Sequence, residues 1–255
     1  MSTKVLAILQ ARMSSSRLPG KVLMPILGEP MLARQIERLR RATTIDRLVV
    51  ATSTEHSDDP IAALCARLGV DCFRGSLDDV LDRFCKAAER YMPEQVARLT
   101  GDCPLADPAV IDAVARFHLA GGYDYSSNTL HPTFPDGLDV EICRYACLVE
   151  AGREATSRFQ SEHVTPFLYQ QPQRYRLGDF RCSSDLSALR WTVDNAEDFE
   201  LVCRIYAALY PSNPHFALDD IVALFENNPD LAAINAGHRR NEGSLEPPVP
   251  KPRRP

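Results

Sequence analysis

Apolar and polar positions alternate along the first half of the chain in blocks that predict strands and helices in turn. Apolar runs rich in β-forming residues predict buried strands at 4–9, 47–52, 71–73 and 95–100. In 31–41, Leu32, Ile36 and Leu39 fall on one helical face. Further helices are expected at 60–67, 77–91 and 108–119. Strands that alternate with helices in this way predict an α/β protein whose largely parallel sheet is covered on both faces.

The pattern changes after Gly121, where short apolar runs follow one another more closely. Strands are expected at 123–127, 138–142, 175–180 and 189–193, and helices at 145–154, 162–169, 196–209, 218–226 and 229–234. We expect antiparallel strands and a small protruding element here, within a single domain that spans 1–242. The segment 243–255 holds five prolines in thirteen residues and is expected to be disordered.

The composition narrows the class of protein. The chain has 34 acidic and 29 basic residues and a net charge of −5, which does not suit a surface that binds nucleic acid or an anionic membrane. No apolar run approaches the length of a membrane span, and 5–9 is too short for the core of a signal peptide. We therefore expect a cytoplasmic protein without nucleic-acid or membrane partners, whose eight cysteines are reduced.

Positive charge is concentrated near the start of the chain. Residues 1–28 sum to +4, and the rest of the chain to −9. Arg12, Arg17 and Lys21 lie in the polar loop 10–21, which follows the first predicted strand. Parallel sheets bind ligands at the carboxyl ends of their strands, and guanidinium and ammonium groups hold polyphosphates there. The loop matches neither a Walker A nor a G-x-G-x-x-G pattern, and a merely solvated basic loop remains the alternative.

Two aspartates that follow predicted strands are candidate metal ligands. Asp102 lies in a Gly-Asp-Cys-Pro turn after 95–100, and Asp194 follows 189–193. Two carboxylates beside a polyphosphate suit Mg²⁺, a hard cation that takes oxygen ligands. Taken singly, each aspartate is better explained as a turn residue or a helix N-cap.

A third acidic group, at 135–141, is a candidate for binding sugar hydroxyls. Alternation along a strand would put Asp139 and Glu141 on one face, with Leu138 and Val140 on the other. A solvated face or a contact between subunits explains the pattern equally well. The histidines show no metal-ligand spacing, and no G-x-S-x-G nucleophile motif is present.

Several of these segments resemble one family, in order along the chain. Residues 11–23, A-R-M-S-S-S-R-L-P-G-K-V-L, closely resemble the A-R-x-x-S-x-R-L-P-x-K opening of the CMP-sugar-acid synthetases. These are the cytidylyltransferases of sialic acid, Kdo and related nonulosonic acids. The blocks at 73–84, 98–105, 135–141, 162–166 and 192–198 are most similar to the spore-coat polysaccharide cytidylyltransferase branch. The match runs from about residue 4 to 205.

The resemblance implies a Rossmann-like, three-layer nucleotide-diphospho-sugar transferase fold with a mixed sheet. It further implies Mg²⁺ as cofactor, CTP as donor and a homodimer whose dimerisation arm lies within 123–185. The residues that it assigns to the triphosphate are Arg12, Ser16, Arg17 and Lys21. Those that it assigns to cytidine are the backbone near Ala11 and the side chains of Thr52, Ser53, Arg74 and Ser76. The metal would be held by Asp102 and Asp194.

The expected reaction is transfer of CMP from CTP to the anomeric hydroxyl of a 2-keto sugar acid of the nonulosonic type, with release of pyrophosphate. It would serve the synthesis of a surface polysaccharide or another glycan. The expected catalytic residues are Arg12, Lys21 and Asp102. The expected acceptor-binding residues are Asp136, Asp139, Glu141 and Arg158, the last as partner of the acceptor carboxylate. Kdo synthetases carry Gln where this chain has Thr100, so Kdo is not the favoured acceptor.

Two other functions remain open from the sequence. A metal-dependent glycosyltransferase shares the same fold, but its diphosphate donor is normally held through an acidic metal motif rather than a basic loop. A non-catalytic nucleotide-binding partner is the second alternative. The joint presence of Arg12, Lys21, Asp102 and Asp194 argues against it.

Overall fold

A mixed seven-stranded sheet lies at the centre of the computed structural model, which describes residues 4–240. The strands in that range are β1 (Val5–Gln10), β2 (Pro25–Ile26), β3 (Glu29–Pro30), β4 (Arg47–Ser53), β5 (Asp71–Gly75), β6 (Gln95–Thr100), β7 (Tyr125–Ser127), β8 (Glu141–Arg144) and β9 (Leu177–Asp179). β2 and β3 form a separate hairpin, and the others lie in the order β5-β4-β1-β6-β8-β7-β9. β1 runs parallel to β4 and β6, whereas β8 is antiparallel to both β6 and β7.

Helices cover both faces of the sheet. They are α1 (Met31–Leu39), α2 (Asp59–Leu68), α3 (Val80–Glu89), α4 (Pro108–Gly121), α5 (Tyr145–Glu154), α6 (Arg158–His163), α7 (Pro166–Tyr169), α8 (Ala196–Leu209) and α9 (Leu218–Asn227). Single 3-10 turns lie at Lys21–Leu23, His56–Asp58 and Pro229–Ala233. In β1, Val5 and Leu9 pack in a core with α1, α4 and α8, and Leu6 and Ile8 pack in a second core with α3, α5 and α7. The fold therefore has three layers, because alternate residues of a strand face opposite sides of the sheet.

The elements of the first half lie where the sequence pattern places them, with small shifts at their ends. The helix predicted at 77–91 begins at Val80, because the side chain of Asp79 caps it and accepts the Asp82 N–H at 2.9 Å. The second half departs further from the pattern. The strand predicted at 138–142 begins at Glu141, and the helix predicted at 162–169 is divided at Val164, whose φ is 71°.

The prediction of a strand at 189–193 is wrong, because this segment does not join the sheet. A single parallel bridge links Arg190 to Asp136, and the Trp191 N–H donates to the Asp136 carbonyl at 2.6 Å. The Val193 N–H donates to the Asp102 carbonyl at 2.8 Å. The segment is thus hydrogen-bonded to two loops rather than to a strand.

The stretch 123–185 contributes β7, β8 and β9 to the central sheet, and α5 and α6 pack against α3. The dimerisation arm assigned to this stretch stays a prediction, as do the boundaries of the single domain. The predicted disordered tail, 243–255, lies outside the described residues. Among the helices of residues 4–240, none combines the length and the hydropathy that a membrane span requires.

Gly137 lies where two chain segments of the second half touch. Its φ is +105°, and a Cβ atom there would lie 2.5 Å from the backbone nitrogen of Thr192. We expect Gly137→Ala to lower the free energy of unfolding by about 3 kcal/mol, as measured by urea denaturation, because a backbone overlap adds to the cost of a positive φ. Gly122→Ala is the control, since its φ is +61° but its Cβ would meet nothing within 4 Å; it should cost about 1 kcal/mol. Equal costs at the two positions would contradict the close approach.

Candidate active site

A cleft of about 660 Å³ opens at the carboxyl ends of β1 and β6. These strands are parallel neighbours, and the Gly101 N–H donates to the Gln10 carbonyl at 2.8 Å just where both strands end. The loop that follows β1 forms one wall. The segments 129–141 and 192–194, together with α6, also line the cleft. The cleft therefore lies where the topology of a parallel sheet predicts a ligand.

The basic loop after β1 is fixed from below by Asp58. This buried carboxylate accepts the Met13 N–H at 2.7 Å and the Ser53 N–H at 3.1 Å. Burial alone would raise the pKa of Asp58, but the hydrogen bonds from Ser53 and Met13 outweigh it and lower the pKa. Above this anchor, Arg12 and Ser16 line the cleft with exposed side chains that have no hydrogen-bond or ion-pair partner in the described part of the chain.

Lys21 brings the two predicted metal ligands together. Its Nζ atom lies 2.9 Å from Asp194 Oδ1 and 3.4 Å from Asp102 Oδ2, and it donates to the Val193 carbonyl at 2.7 Å. Burial alone would lower the pKa of Lys21, but the two carboxylates outweigh it and raise the pKa. Three residues from distant parts of the sequence thus form one charged cluster at the base of the cleft.

Asp102 and Asp194 differ in their capacity to bind a metal ion. Asp194 already pairs with Lys21, with Arg17 at 3.0 Å and with Arg190 at 3.0 Å. Burial opposes ionisation of Asp194, but these cations outweigh it and lower its pKa to about 2. The Asp102 side chain is 29% exposed and has Lys21 as its one ion-pair partner among the described residues. Both carboxylates contact the Lys21 ammonium group and supply the oxygen ligands that fit Mg²⁺. Asp102 is the more available ligand of the two.

No group of three or more His, Cys, Asp or Glu side chains within residues 4–240 has the arrangement of a metal site. A divalent cation held by Asp102 and Asp194 would therefore complete its coordination with oxygens of substrate or water. Mg²⁺ is commonly bound in this way, by one or two carboxylates together with phosphate oxygens and several waters.

Glu141 lies in the cleft within a network of internal contacts. It pairs with Arg98, accepts a hydrogen bond from the Tyr125 hydroxyl at 2.6 Å, and accepts another from the Thr165 hydroxyl. Burial alone would lower the pKa of Arg98, but Glu141 outweighs it and raises the pKa. Because both carboxylate oxygens of Glu141 already accept internal donors, its main effect in this structure is to orient Arg98.

Asp136 and Asp139 also reach the cleft, each paired with an arginine from the C-terminal part of the chain. Arg190 Nη1 lies 2.9 Å from Asp136 Oδ2, and Arg240 pairs with Asp139. Burial raises the pKa of Asp139 to about 7 in spite of the opposing charge of Arg240. This part of the cleft thus presents acid–arginine pairs. The loop after β1 presents Arg12 and Ser16 without such partners among the described residues, beside Arg17 and Lys21, which pair with Asp194.

Four side chains predicted to bind cytidine, Thr52, Ser53, Arg74 and Ser76, do not line the cleft. Thr52 and Ser53 are fully buried. Arg74 donates to the Ser53 carbonyl at 2.8 Å, and the Ser76 hydroxyl accepts the Asp79 N–H at 3.0 Å. These contacts are internal to the fold, so the assignment of the four residues to cytidine rests on the resemblance alone. Ala11, by contrast, lies in the wall of the cleft.

Arg158, predicted to bind the acceptor carboxylate, does not line the cleft either. Its side chain is 61% exposed, and its Nε atom lies 3.8 Å from Glu162 on the same helix. The face of α6 that borders the cleft carries Phe159, Glu162 and His163 instead. Burial, then the charge of Arg98, lowers the pKa of His163.

The sequence prediction missed three basic residues of the cleft, Arg83, Arg98 and Arg240. Arg83 and Arg98 occupy largely buried positions on α3 and β6, where the pattern calls for apolar side chains. A basic residue at a position where the pattern predicts an apolar one is the signal that could have identified Arg83 and Arg98. Arg240 follows the last predicted helix, and the sequence carries no comparable signal for it.

A cleft at the ends of parallel strands, with the basic groups of one loop and carboxylates beside them, is typical of a transferase that acts on a nucleoside polyphosphate. A family model described as cytidylyltransferase matches residues 6–237. The chain therefore belongs to the cytidylyltransferase family, and it is a CTP-dependent nucleotidyltransferase. This membership favours nucleotidyl transfer over both alternatives that the sequence left open.

Individual relatives agree with this membership. An uncharacterized protein of Methanocaldococcus jannaschii is 33% identical over 93% of this chain and 96% of its own length. The spore coat polysaccharide biosynthesis protein SpsF of Bacillus subtilis is 35% identical over 89% of this chain and 96% of its own length. A solved cytidylyltransferase structure from Leptospira borgpetersenii superposes with a TM-score of 0.86 at 30% identity, over 90% of this chain and 97% of that one. The predicted fold and the predicted resemblance to the spore-coat branch are thus confirmed.

Proposed function

We propose that this cytidylyltransferase transfers CMP from CTP to the anomeric hydroxyl of a 2-keto sugar acid of the nonulosonic type, within the synthesis of a surface polysaccharide or another glycan. The observation that carries the proposal is that one cleft brings together the basic loop after β1, where Arg12 has no ion-pair partner among the described residues, and two acid–arginine pairs. The printed name of SpsF, which refers to spore coat polysaccharide biosynthesis, supports the biosynthetic role. Mg²⁺ and a homodimer belong to the same proposal.

The triphosphate would lie along the basic loop after β1. Arg12 is exposed in the cleft and has no ion-pair partner among residues 4–240, so its guanidinium is available to phosphate oxygens. Arg17 and Lys21 both contact Asp194 Oδ1, at 3.0 Å and 2.9 Å. A bound triphosphate would compete with Asp194 for these two cations and so make its carboxylate more available to a metal ion.

In the proposed reaction the anomeric hydroxyl attacks the α-phosphorus in line, the bond from that phosphorus to the bridging oxygen of the β-phosphate breaks, and pyrophosphate leaves. The proton of the hydroxyl passes to solvent. Arg12 and Lys21 stabilise the charge that develops on the phosphate oxygens and the leaving group. Asp102 and Asp194 would hold Mg²⁺, which when bound neutralises phosphate charge and lowers the pKa of the attacking hydroxyl.

The acceptor would occupy the side of the cleft that is lined by 129–141 and α6. Carboxylate oxygens of Asp136 and Asp139 are suitable acceptors for sugar hydroxyls, and the basic partners of these acids suit an anionic acceptor. Thr100 lies at the end of β6 in the cleft wall, at the position where Kdo synthetases carry Gln. We therefore propose an acceptor other than Kdo.

Pyrophosphate release with Mg²⁺ tests the proposal directly. Each of the four nucleoside triphosphates is combined with a panel of nonulosonic and octulosonic acids, and with a neutral sugar as control. We expect release with CTP and one nonulosonic acid. Release with CTP and the neutral sugar alone would overturn the acid acceptor. If CTP raises Tm but no pair releases pyrophosphate, the proposed acceptor class is wrong.

A further inference from the structure

The last described residues, 235–240, are fastened to the buried ion pairs beside the cleft, and we name them the C-terminal strap. The Asn235 side chain is buried and donates to Asp198 Oδ1 at 2.8 Å and to the Arg190 carbonyl at 3.0 Å. In return, Arg190 Nη1 donates to the Arg239 carbonyl at 3.1 Å. These contacts fix the strap beside the cleft, which Arg240 lines.

The strap places one guanidinium group on the acceptor side of the cleft. Arg240 lines the cleft, donates to the Phe134 carbonyl at 3.1 Å and pairs with Asp139. Its side chain is 16% exposed, and that of Asp139 is 30% exposed. The pair is therefore held by the fold on one side and open to a ligand on the other.

Among the described residues, five other arginine and lysine side chains line the cleft, but they lie at the proposed triphosphate site or already have internal partners. They are Arg12, Arg17, Lys21, Arg83 and Arg98. The first three belong to the proposed triphosphate wall. Arg83 donates to the Ser76 carbonyl, and its pKa is lowered first by burial and then by the charge of Arg12. Arg98 is committed to Glu141, whose carboxylate is itself held by two hydroxyl groups.

We propose that Arg240 binds the carboxylate of the acceptor, which replaces the Asp139 carboxylate as the partner of its guanidinium group. The inference rests on the proposed function, because it requires an acid as acceptor. It gives Arg240 the role that the sequence assigned to Arg158, whose side chain lies outside the cleft.

The exchange of partners leaves the charge of Arg240 compensated. One carboxylate replaces another, so the guanidinium group keeps an anionic partner and its bond to the Phe134 carbonyl. The displaced Asp139 remains beside the acceptor, where it can accept a hydrogen bond from a hydroxyl. Burial already raises its pKa to about 7, so it takes up a proton near neutral pH when Arg240 is occupied elsewhere.

Substitutions at the two ends of the pair test the proposal, because they should act in opposite directions. Arg240→Gln removes the cation, and Asp139→Asn removes the carboxylate that competes with the acceptor. Calorimetric titrations use the panel of nonulosonic and octulosonic acids and the 1-methyl ester of each acid. We expect R240Q to weaken binding of the preferred acid at least tenfold, the loss of one charged hydrogen bond. We expect D139N to tighten binding of that acid at least twofold, and neither change to alter binding of CTP by more than twofold.

Matched variants separate recognition of the carboxylate from a structural role. R240K keeps the charge and should recover part of the lost affinity. R181Q removes an exposed arginine that pairs with Asp179 outside the cleft, and it should leave acid binding unchanged. Equal weakening by R240Q and D139N would show a structural pair and overturn the proposal.

The same titrations distinguish this inference from the proposed function. If the preferred acid binds and reacts equally well with wild type and R240Q, the role of Arg240 is wrong and the proposed function stands. If no acid in the panel binds to the wild-type enzyme with CTP present, both fail. Loss of the preference for acid over ester in R240Q alone supports the role of Arg240.

Discussion

Asp102→Asn is expected to lower kcat for pyrophosphate release by about a thousandfold or more while the protein stays folded. The substitution keeps the size of the side chain but removes the more available of the two carboxylates that face Lys21. Loss of one group that stabilises transition-state charge typically costs a hundredfold to a thousandfold, and loss of a metal ligand adds to this. The fold should survive, because the contacts of Asp102 with Thr192 and Val193 use its backbone carbonyl.

The measurement pairs the kinetics with thermal unfolding of the same variant. Asp185→Asn is a suitable control, since Asp185 is exposed and lies outside the cleft. An active D102N enzyme would remove the metal assignment of Asp102. A variant that is inactive and also unfolded at the assay temperature would instead identify Asp102 as a structural residue.

The residues that follow the first strands were predictable because one topological rule places them. In parallel strands all carboxyl ends meet at one edge of the sheet, so the positions of Arg12, Lys21 and Asp102 follow from local pattern alone. Asp194 also lies in this cluster, but not because it follows a strand, as the sequence pattern predicts. It follows no strand, and the Val193 N–H holds its segment against the Asp102 carbonyl at 2.8 Å.

The acceptor side was less predictable, because it depends on which strands pair. Periodicity shows that residues alternate between faces, but it does not show that β8 inserts antiparallel between β6 and β7. That pairing sets Glu141 directly opposite Arg98 and creates the buried ion pair. The contact between Arg240 and Asp139 joins residues far apart in the chain, and no local pattern encodes it. A local pattern also does not show that Ser53, at the end of β4, donates its N–H to Asp58 inside the fold.

Arg190→Met is expected to lower the free energy of unfolding by about 3–5 kcal/mol at pH 8, as measured by urea denaturation. Arg190 is buried and pairs with Asp136 at 2.9 Å, Asp194 at 3.0 Å and Asp198 at 2.9 Å. Methionine fills much of the volume but leaves these three carboxylates without their shared cation. Removing one partner of a buried ion pair costs this much because the remaining charge stays desolvated.

The loss of stability that Arg190→Met causes should be smaller at lower pH. In the wild type, burial opposes ionisation of Asp198, but hydrogen bonds from Arg190 and Asn235 outweigh it and lower the pKa below its ordinary value of 3.8. The stabilisation is therefore present above pH 3.8 and is lost as the pH falls through the lowered pKa. Without Arg190, burial would raise the pKa of the same carboxyl, so the variant would lose stability as the pH rises above 3.8. We expect the difference from wild type to be larger at pH 8 than at pH 5.

A matched arginine outside this cluster provides the control. Arg181→Met removes an arginine that is 53% exposed and pairs with Asp179, and it should cost less than about 1 kcal/mol at either pH. Arg190→Met could lower stability through uncompensated carboxylate charge or through lost packing. The two explanations differ in pH dependence, because protonation of the carboxylates removes their charge but does not restore packing. A cost that is the same at pH 5 and pH 8 would therefore attribute the role of Arg190 to packing. A cost that is smaller at pH 5 than at pH 8 would show that the charge of Arg190 stabilises ionised carboxylates beside the cleft, Asp198 among them.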